Sequence, residues 1–394
     1  MHQKMLYAES INRPAGFYNL AALSCVAPAG HDERSEEMLR ITLLSIALAL
    51  LVGNALAEDD NLAPVRLQLQ WVTQAQFAGY YIANELGFYE EEGLSVTLLE
   101  SDGDIQPTDI VAAGDAEFGV TWLPKTLIAN EAGAGLVNIA QIFQRSGAVL
   151  VSFAETGIES ISDLVHKTVG YWPDGNEFEV YATTFVMGSD PISGEHLSLV
   201  EQPFHLEPLL DGELDAAQAL IYNGYGRLLG ETNPATGELY QESDLNVIDM
   251  NDIGAAMLQD HIIARSDWLA MGDNEALALG FLKATIRAWI HCRDHADDCV
   301  RILLAIDPAL GESHQQWQMN EVNKLIWPSP QGIGMMDAAP WDQTVEWLLT
   351  FDALVDEPAH GAYRQDMVEE ALAALVEEGL DVTGENWQPA TVTV

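Results

Sequence analysis

The sequence predicts an α/β protein of two lobes around a hinged cleft, and three observations support this. Strand-like and helix-like segments alternate from Pro64 to about Leu150, and a second alternating set follows. Two stretches suit crossings between the sets: a strand over Ala148 to Phe153, and a return over Asp252 to Ala264. From Asn274 onward helices dominate, with an apolar stripe at Leu277, Phe281, Leu282, Ile286 and Trp289.

The elements follow in order. Val65, Leu67, Leu69 and Trp71 alternate as a buried strand. A polar-aromatic turn, Thr73 to Phe77, precedes an apolar helix over Gly79 to Leu86, closed by Gly87. Gly93 marks a turn into a strand over Leu94 to Leu99. This β-α-β opening puts Trp71, Gln76 and Phe77 at a strand's carboxyl end, where open α/β sheets bind ligands. The same pattern would equally serve an ordinary first strand with a core Trp. Next come a helix over Gln106–Gly114, a strand over Glu117–Val120, a helix over Pro124–Ala132 and a strand over Val137–Phe143. The second set has a short helix at Ser160–Leu164, a strand at Thr168–Tyr171 and a helix at Glu177–Met187. It continues with a strand at Leu197–Val200, a helix at Phe204–Gly212, and strands at Ala216–Ile221 and Leu245–Asp249.

The amino-terminal region reads differently. LRITLLSIALALLVGNALA (39–57) joins a basic residue, an apolar run and a small-residue end, so 38–57 reads as a signal peptide cut before Glu58. Its apolar core is short for a membrane span. Met38 directly precedes it, and residues 1–37 read as an upstream over-extension of the reading frame. The expected product is exported to the periplasm, with no stable membrane insertion.

The chain of 394 residues carries a net charge of −45 and five lysines. Such acidity disfavours nucleic acid and anionic membranes as partners. Combined with 48% apolar residues, it suggests a folded protein of a salt-loving organism, since molar salt screens the repulsion. Cys292 and Cys299 form a possible disulfide. About 10 Å of helical rise would separate them, so a bridge requires a helix break near Asp294 to Asp297. His291, His295 and Cys299 also share helical spacing, but the run reads better as a solvated helix end than as a metal site. No G-x-S-x-G, P-loop or H-E-x-x-H motif is present.

Six segments resemble one family in its own order: LQWVTQAQFAGYYIANELGFYEEEGLSVTL (69–98), AAGDAEFGVTW (112–122), VGYWPDGNEFEVY (169–181), DGELDAAQALIYNGY (211–225), IGAAMLQDHIIA (253–264) and WLAMGDNEALALGFLKATIRAW (268–289). The family is the periplasmic substrate-binding proteins of ABC importers grouped with fungal thiamine-pyrimidine synthase, the SsuA/THI5-like group. The resemblance implies a type II periplasmic-binding-protein fold, with lobe one over 58–152 plus 260–355, lobe two over 153–259 and a helical tail over 356–394. It implies that Trp71, Gln76, Phe77, Tyr80 and Trp122 face the cleft from lobe one. Lobe two would contribute Asn176 and Glu177 of a Gly-Asn-Glu turn, with Tyr222 and Asn223, while Asp260 would lie near the second crossing. Packing or hinge roles suit each of these residues as well as ligand contact does.

The implied function is a solute-binding protein that closes over a small heteroaromatic such as a thiamine pyrimidine precursor. It would need no cofactor, and its partners would be an ABC permease and that permease's ATPase. Relatives often carry an acidic residue after the Tyr-Asn pair; Gly224 stands here, so Glu177 would take that part. The alternative is the synthase, which consumes its own histidine and bound pyridoxal phosphate and requires iron. Against its pattern, Thr121 stands where the cofactor lysine belongs and Lys125 where the histidine belongs. Ala255, Ala256 and Met257 stand where its cysteines belong. A second alternative is a sulfonate, nitrate or riboflavin binder, but only Lys125 and Arg145 offer cationic groups near the expected cleft.

Overall fold

The computed structural model describes residues 62–191 and 196–394. The expected over-extension and signal peptide lie outside the described residues. Among those described, no helix is long and apolar enough to cross a membrane.

Ten strands form two five-stranded sheets. They are β1 (Ala63–Gln68), β2 (Leu94–Leu99), β3 (Phe118–Thr121), β4 (Leu136–Gln141), β5 (Ala148–Phe153), β6 (Thr168–Tyr171), β7 (Ser198–Glu201), β8 (Ala216–Leu220), β9 (Leu245–Asp249) and β10 (His261–Arg265). The first sheet has order β2-β1-β3-β10-β4 and the second β7-β6-β8-β5-β9. In each, a three-strand parallel core meets one antiparallel strand from beyond a crossing: β10 against β3 and β4, and β5 against β8 and β9. This is the doubled open-sheet architecture of two lobes joined by two crossings.

The period-two alternation of buried strands puts β5 in two cores at once. Ala148 and Leu150 face one apolar cluster, while Val149 and Val151 face another on the opposite side of the sheet. In lobe one Val65, Leu67 and Leu69 enter a large core with Phe77, Phe118, Phe281 and Trp289. The helix Asn274–Asp294 lies so close to the helix Ala78–Glu85 that a Cβ on Gly79 would come within 2.4 Å of the Trp289 ring. Gly79 is therefore the residue that lets the long helix seat.

Four stretches depart most from the sequence reading. β1 ends at Gln68, leaving Leu69 to Trp71 as an irregular exit. The expected helix at 204–212 is one short turn, Glu207–Leu210, with a proline in its first positions. The return stretch is strand only over His261–Arg265. The tail holds one helix, Asp366–Glu377, and then runs irregularly to Val394. The long helix does break after Asp294, and a second helix starts at Ala296. That break leaves Cys292 and Cys299 as neighbours without a bridge: both are buried free thiols, and burial with the nearby Cys299 raises the Cys292 thiol.

The crossings are laced side by side. Phe143 N–H donates to the Asp260 carbonyl at 3.0 Å, and Gly147 N–H to the Gln259 side-chain oxygen at 2.9 Å. Gln141 Nε2 donates to the carbonyls of Phe143 and Gln259. The Asn251 side chain both accepts from Ser146 N–H and donates to the Ser146 carbonyl. All of these bonds but the one from Gln141 to Phe143 hold one crossing to the other, as a shared hinge requires.

Candidate functional site

The first sheet's strands end at a buried carboxylate. Asp260 is 1% exposed and directly precedes β10. Its Oδ1 accepts from Gln70 Nε2 at 2.6 Å and from Trp122 Nε1 at 2.9 Å. Its Oδ2 accepts from Gln76 Nε2 at 2.8 Å. Gln70 lies just past β1, Trp122 just past β3, and Gln76 on the short turn that enters the first helix. All three donors are neutral. Burial pushes the carboxyl up to about 7, and the three hydrogen bonds hold it from rising further.

From Gln76 a chain of amides leads across the cleft. Gln74 Nε2 donates to Gln76 Oε1 at 2.6 Å, and Gln74 Oε1 accepts from Gln318 Nε2 at 3.1 Å. Asn223 of lobe two also donates to Gln74 Oε1, at 3.4 Å. Two buried hydroxyls nearby have no partner: Thr121 Oγ1, one residue from Trp122, and Tyr222 Oη. Burial raises the Tyr222 phenol, and the charges of Asp260 and Glu179 raise it further, which sets the ring near both carboxylates. Tyr80 also feels Asp260, but its hydroxyl faces the Trp289 N–H without reaching bonding geometry. A set of acceptors and unspent hydroxyls around one carboxylate can hold a ligand edge rich in N–H groups.

A second buried carboxylate supports the crossing from the other lobe. Glu179 is 3% exposed and accepts from Met257 N–H at 2.9 Å and Gln259 Nε2 at 3.2 Å. Burial lifts it to about 7, against bonds from Ser146, Met257 and Gln259.

The Gly-Asn-Glu turn does something other than open its N–H groups to a ligand. Glu177 Oε2 accepts from Gly175 N–H at 2.8 Å, so the turn fills its own anion cradle. Burial raises Glu177, while backbone N–H groups of its own turn lower it. Asn176 is committed within its loop, donating to the Pro173 carbonyl and accepting from Gln218 through its backbone oxygen. Glu177, expected to stand in for the missing acidic residue after the Tyr-Asn pair, thus bonds within its own turn, while Asp260 is the carboxylate that gathers side-chain donors at the end of the first sheet. Lys125 packs on Gly175, donates to Gln106 Oε1 at 3.3 Å and feels the charges of Glu177 and Asp174. Burial drops its amine to about 8. Arg145 is spent on backbone carbonyls of Lys324, Leu325, Trp327 and Pro328.

The sequence-predicted residues thus divide. Gln76, Trp122 and Asp260 meet directly, and Asn223 and Tyr222 approach them from lobe two. Phe77 is fully enclosed and packs in the lobe-one core, and Tyr80 is 1% exposed with its ring edge-on to Trp289. Trp71 stands apart at the cleft mouth, its ring centroid 4.7 Å from Phe204. Sequence reasoning missed Gln70, Gln74, Glu179, Gln259 and Phe204. One signal was available: Gln259 and Asp260 are a polar pair inside the otherwise apolar run MLQDHII. Between the lobes, Trp122, Pro124, Asn176, Phe178, Glu179 and Gln259 line a cavity of about 10 Å³, room for about one water.

At the positions where the resemblance places the synthase's lysine and cysteines, Thr121 offers a buried hydroxyl in place of an amine, and Ala255, Ala256 and Met257 offer no ligand set for iron. Among the described residues no group of three or more His, Cys, Asp or Glu is placed to hold a metal.

Comparison with known proteins gives four findings. A family model described as NMT1/THI5 like matches residues 74–299. The formylaminopyrimidine-binding protein of Halalkalibacterium halodurans is 23% identical over 330 residues, covering 82% of this chain and 95% of that protein. A 4-amino-5-hydroxymethyl-2-methylpyrimidine phosphate synthase of Legionella pneumophila is 30% identical, but over 129 residues, 33% of this chain and 41% of that protein. Among solved structures, a putative periplasmic sulfonate-binding protein of Methylobacillus flagellatus superposes with a TM-score of 0.60 at 15% identity, covering 85% of this chain and 99% of that one. That likeness shows the fold: a two-lobed periplasmic-binding-protein architecture.

Proposed function

The chain belongs to the NMT1/THI5-like family, and on that premise we propose that it is the solute-binding component of an ABC importer. Its ligand is a small N–H-rich heteroaromatic, such as a pyrimidine precursor of thiamine. The observation that carries this reading is Asp260, a buried carboxylate whose side-chain partners among the described residues are neutral amides and an indole. A buried charge without a cation is costly, and N–H donors of an aminopyrimidine edge would complete it. The partial charge on such a ring would add to the attraction. An anionic solute would meet repulsion there, with Lys125 engaged by acidic neighbours and Arg145 by carbonyls.

In the mechanism, the open form admits the ring against Trp71, and the hinge closes lobe two upon it. Trp122 and Gln76 hold Asp260 in register, so both act chiefly as positioning groups. Asn223 supplies a donor and an acceptor from lobe two, and Tyr222 a hydroxyl, while Asn176 stays committed to its loop. The lobes divide at the two crossings, 142–147 and 250–260, which puts β5 in lobe two instead of lobe one, with 356–394 as a tail. The closed form docks on a permease in the membrane, and a partner ATPase drives import; export to the periplasm by residues 38–57 completes the scheme. The protein is a binder rather than an enzyme: the synthase match spans one third of the chain, and the residues its chemistry needs are replaced.

The test is ligand-induced thermal stabilisation of the mature chain from Glu58 in high salt, since only native-state binding raises the midpoint this way. The panel holds aminopyrimidines, thiamine, riboflavin, taurine, nitrate and pyridoxal phosphate. A shift with aminopyrimidines, lost in Asp260→Asn, is expected. A shift with taurine or nitrate alone, or with pyridoxal phosphate alone and lost in Lys125→Ala, would overturn the reading.

A further inference from the structure

Phe204 is an exposed aromatic held in place beside an aromatic of each lobe. It is 53% exposed, and it sits on the loop that leaves β7. That loop is fixed on both sides. Gln202 exchanges two hydrogen bonds with the Gln218 backbone, at 2.9 and 3.1 Å, and Trp172 Nε1 donates to the Pro203 carbonyl at 3.1 Å. So fixed, the Phe204 ring lies 5.8 Å from Trp172 of its own lobe and 4.7 Å, edge to face, from Trp71 of the other.

The third wall of this contact is backbone. Gly103 has φ +101, and a Cβ there would stand 2.5 Å from Trp71 and 3.4 Å from Phe204. Its loop is tied by Ser101 Oγ, which accepts from Gly103 N–H at 3.0 Å, while Ser101 N–H reaches the Trp71 carbonyl at 3.5 Å. Segments of both lobes therefore converge on one closed mouth, with no gap for a further aromatic layer between Trp71 and Phe204.

We propose that Phe204 is the selectivity residue of the cleft: it seals the mouth on closure and limits the ligand to a single ring. The inference rests on the solute-binding reading above and names the size class that site accepts. A ring stacked on Trp71 can extend no further than Phe204 when the lobes are shut. A second ring attached to it would hold the mouth open.

The experiment uses the mature chain with a 4-aminopyrimidine and with thiamine, in which a second ring is attached to the same pyrimidine. Calorimetry gives Kd and stopped-flow fluorescence gives the dissociation rate. Wild type is expected to favour the single ring at least tenfold. Phe204→Ala should cut that preference below threefold and speed dissociation of the single-ring ligand about tenfold, a change of about 1.4 kcal/mol. Val376→Ala, which removes another exposed apolar side chain far from the mouth, should change neither. An unchanged preference and rate in Phe204→Ala overturns the proposal. A second readout needs no ligand: melting temperatures of Trp71→Ala, Phe204→Ala and the double variant should be non-additive. Wild type that binds neither compound overturns the function and the selectivity with it, whereas additive melting shifts overturn the mouth contact alone.

Discussion

Glu179 and Asp260 are both buried carboxylates raised to about 7, and they flank the same crossing, yet they are built for different ends. Glu179 spends itself on the chain: a backbone N–H of Met257 and the amide of Gln259 fix the path of the second crossing. Asp260 takes three side-chain donors, each from a segment that leaves the first sheet, and unpartnered hydroxyls stand near it. A carboxylate that fixes backbone is part of the hinge, and one ringed by rotatable amides can exchange a partner for a ligand. The partner list, rather than burial or pKa, separates the two roles.

The largest effect that could break this contrast is on binding. Asp260→Asn should weaken aminopyrimidine affinity by about 100-fold, since charge-assisted bonds contribute roughly 1.5–3 kcal/mol each. The fold should survive, because the relay of Gln76 and Gln74 can flip its amides and pass the donor clash out to the half-buried Asn223. Calorimetry and a thermal melt check both halves. Affinity within threefold of wild type would move recognition away from Asp260. The mirror-image variant is Glu179→Ala. It strands the Met257 N–H in a dry crossing and should cost about 2–3 kcal/mol of stability by denaturant titration, while affinity changes less than fivefold. A large affinity loss with little destabilisation would reverse the two assignments.

Their shared shift gives a pH test. In the folded state each group holds its proton up to about 7, whereas an unfolded carboxyl loses it near 4. Between those values the folded chain binds more protons, so stability falls as pH rises from about 4 to 7 and then levels off. The fall is at most a few kcal/mol per group, since one pKa unit corresponds to about 1.4 kcal/mol. Denaturant titrations at pH 5 and 8 should show it, and Asp260→Asn should remove roughly half. A variant with the wild-type slope would mean that Asp260 is solvated.

The strands were legible because buried alternation is a strong signal; Leu94–Leu99, Ala148–Phe153, Thr168–Tyr171 and Leu245–Asp249 have the bounds read from the sequence. The region at 204–212 was not, because Pro203 and Pro208 confine the helix to one turn and leave Phe204 to tertiary contacts. At the site, resemblance pointed to Gln76, Trp122 and Asp260. It could not say that Asp260 gathers the other two, since residues 76, 122 and 260 meet only after two crossings. Glu179 was hidden for a related reason: inside FEVYATTFV it reads as a solvent-facing helix residue until the hinge covers it.

The smallest effect tests the other side of the cleft. Glu177 fills the N–H cradle of its own turn and lies beside Lys125, so lobe two is neutralised before any ligand arrives. Glu177→Ala would free the Gly175 N–H and leave Lys125 with Asp174 as its remaining acidic neighbour. Two donors of that kind bind an anion weakly, so sulfate or taurine should gain measurable affinity at roughly millimolar level, equivalent to about 4 kcal/mol. Aminopyrimidine affinity should change less than threefold, because Asp260 is on the opposite lobe. If Glu177→Ala instead costs the pyrimidine as much as Asp260→Asn does, both lobes contribute a ligand-facing carboxylate. The asymmetry drawn between self-satisfied turn and ligand-facing strand end would then fail.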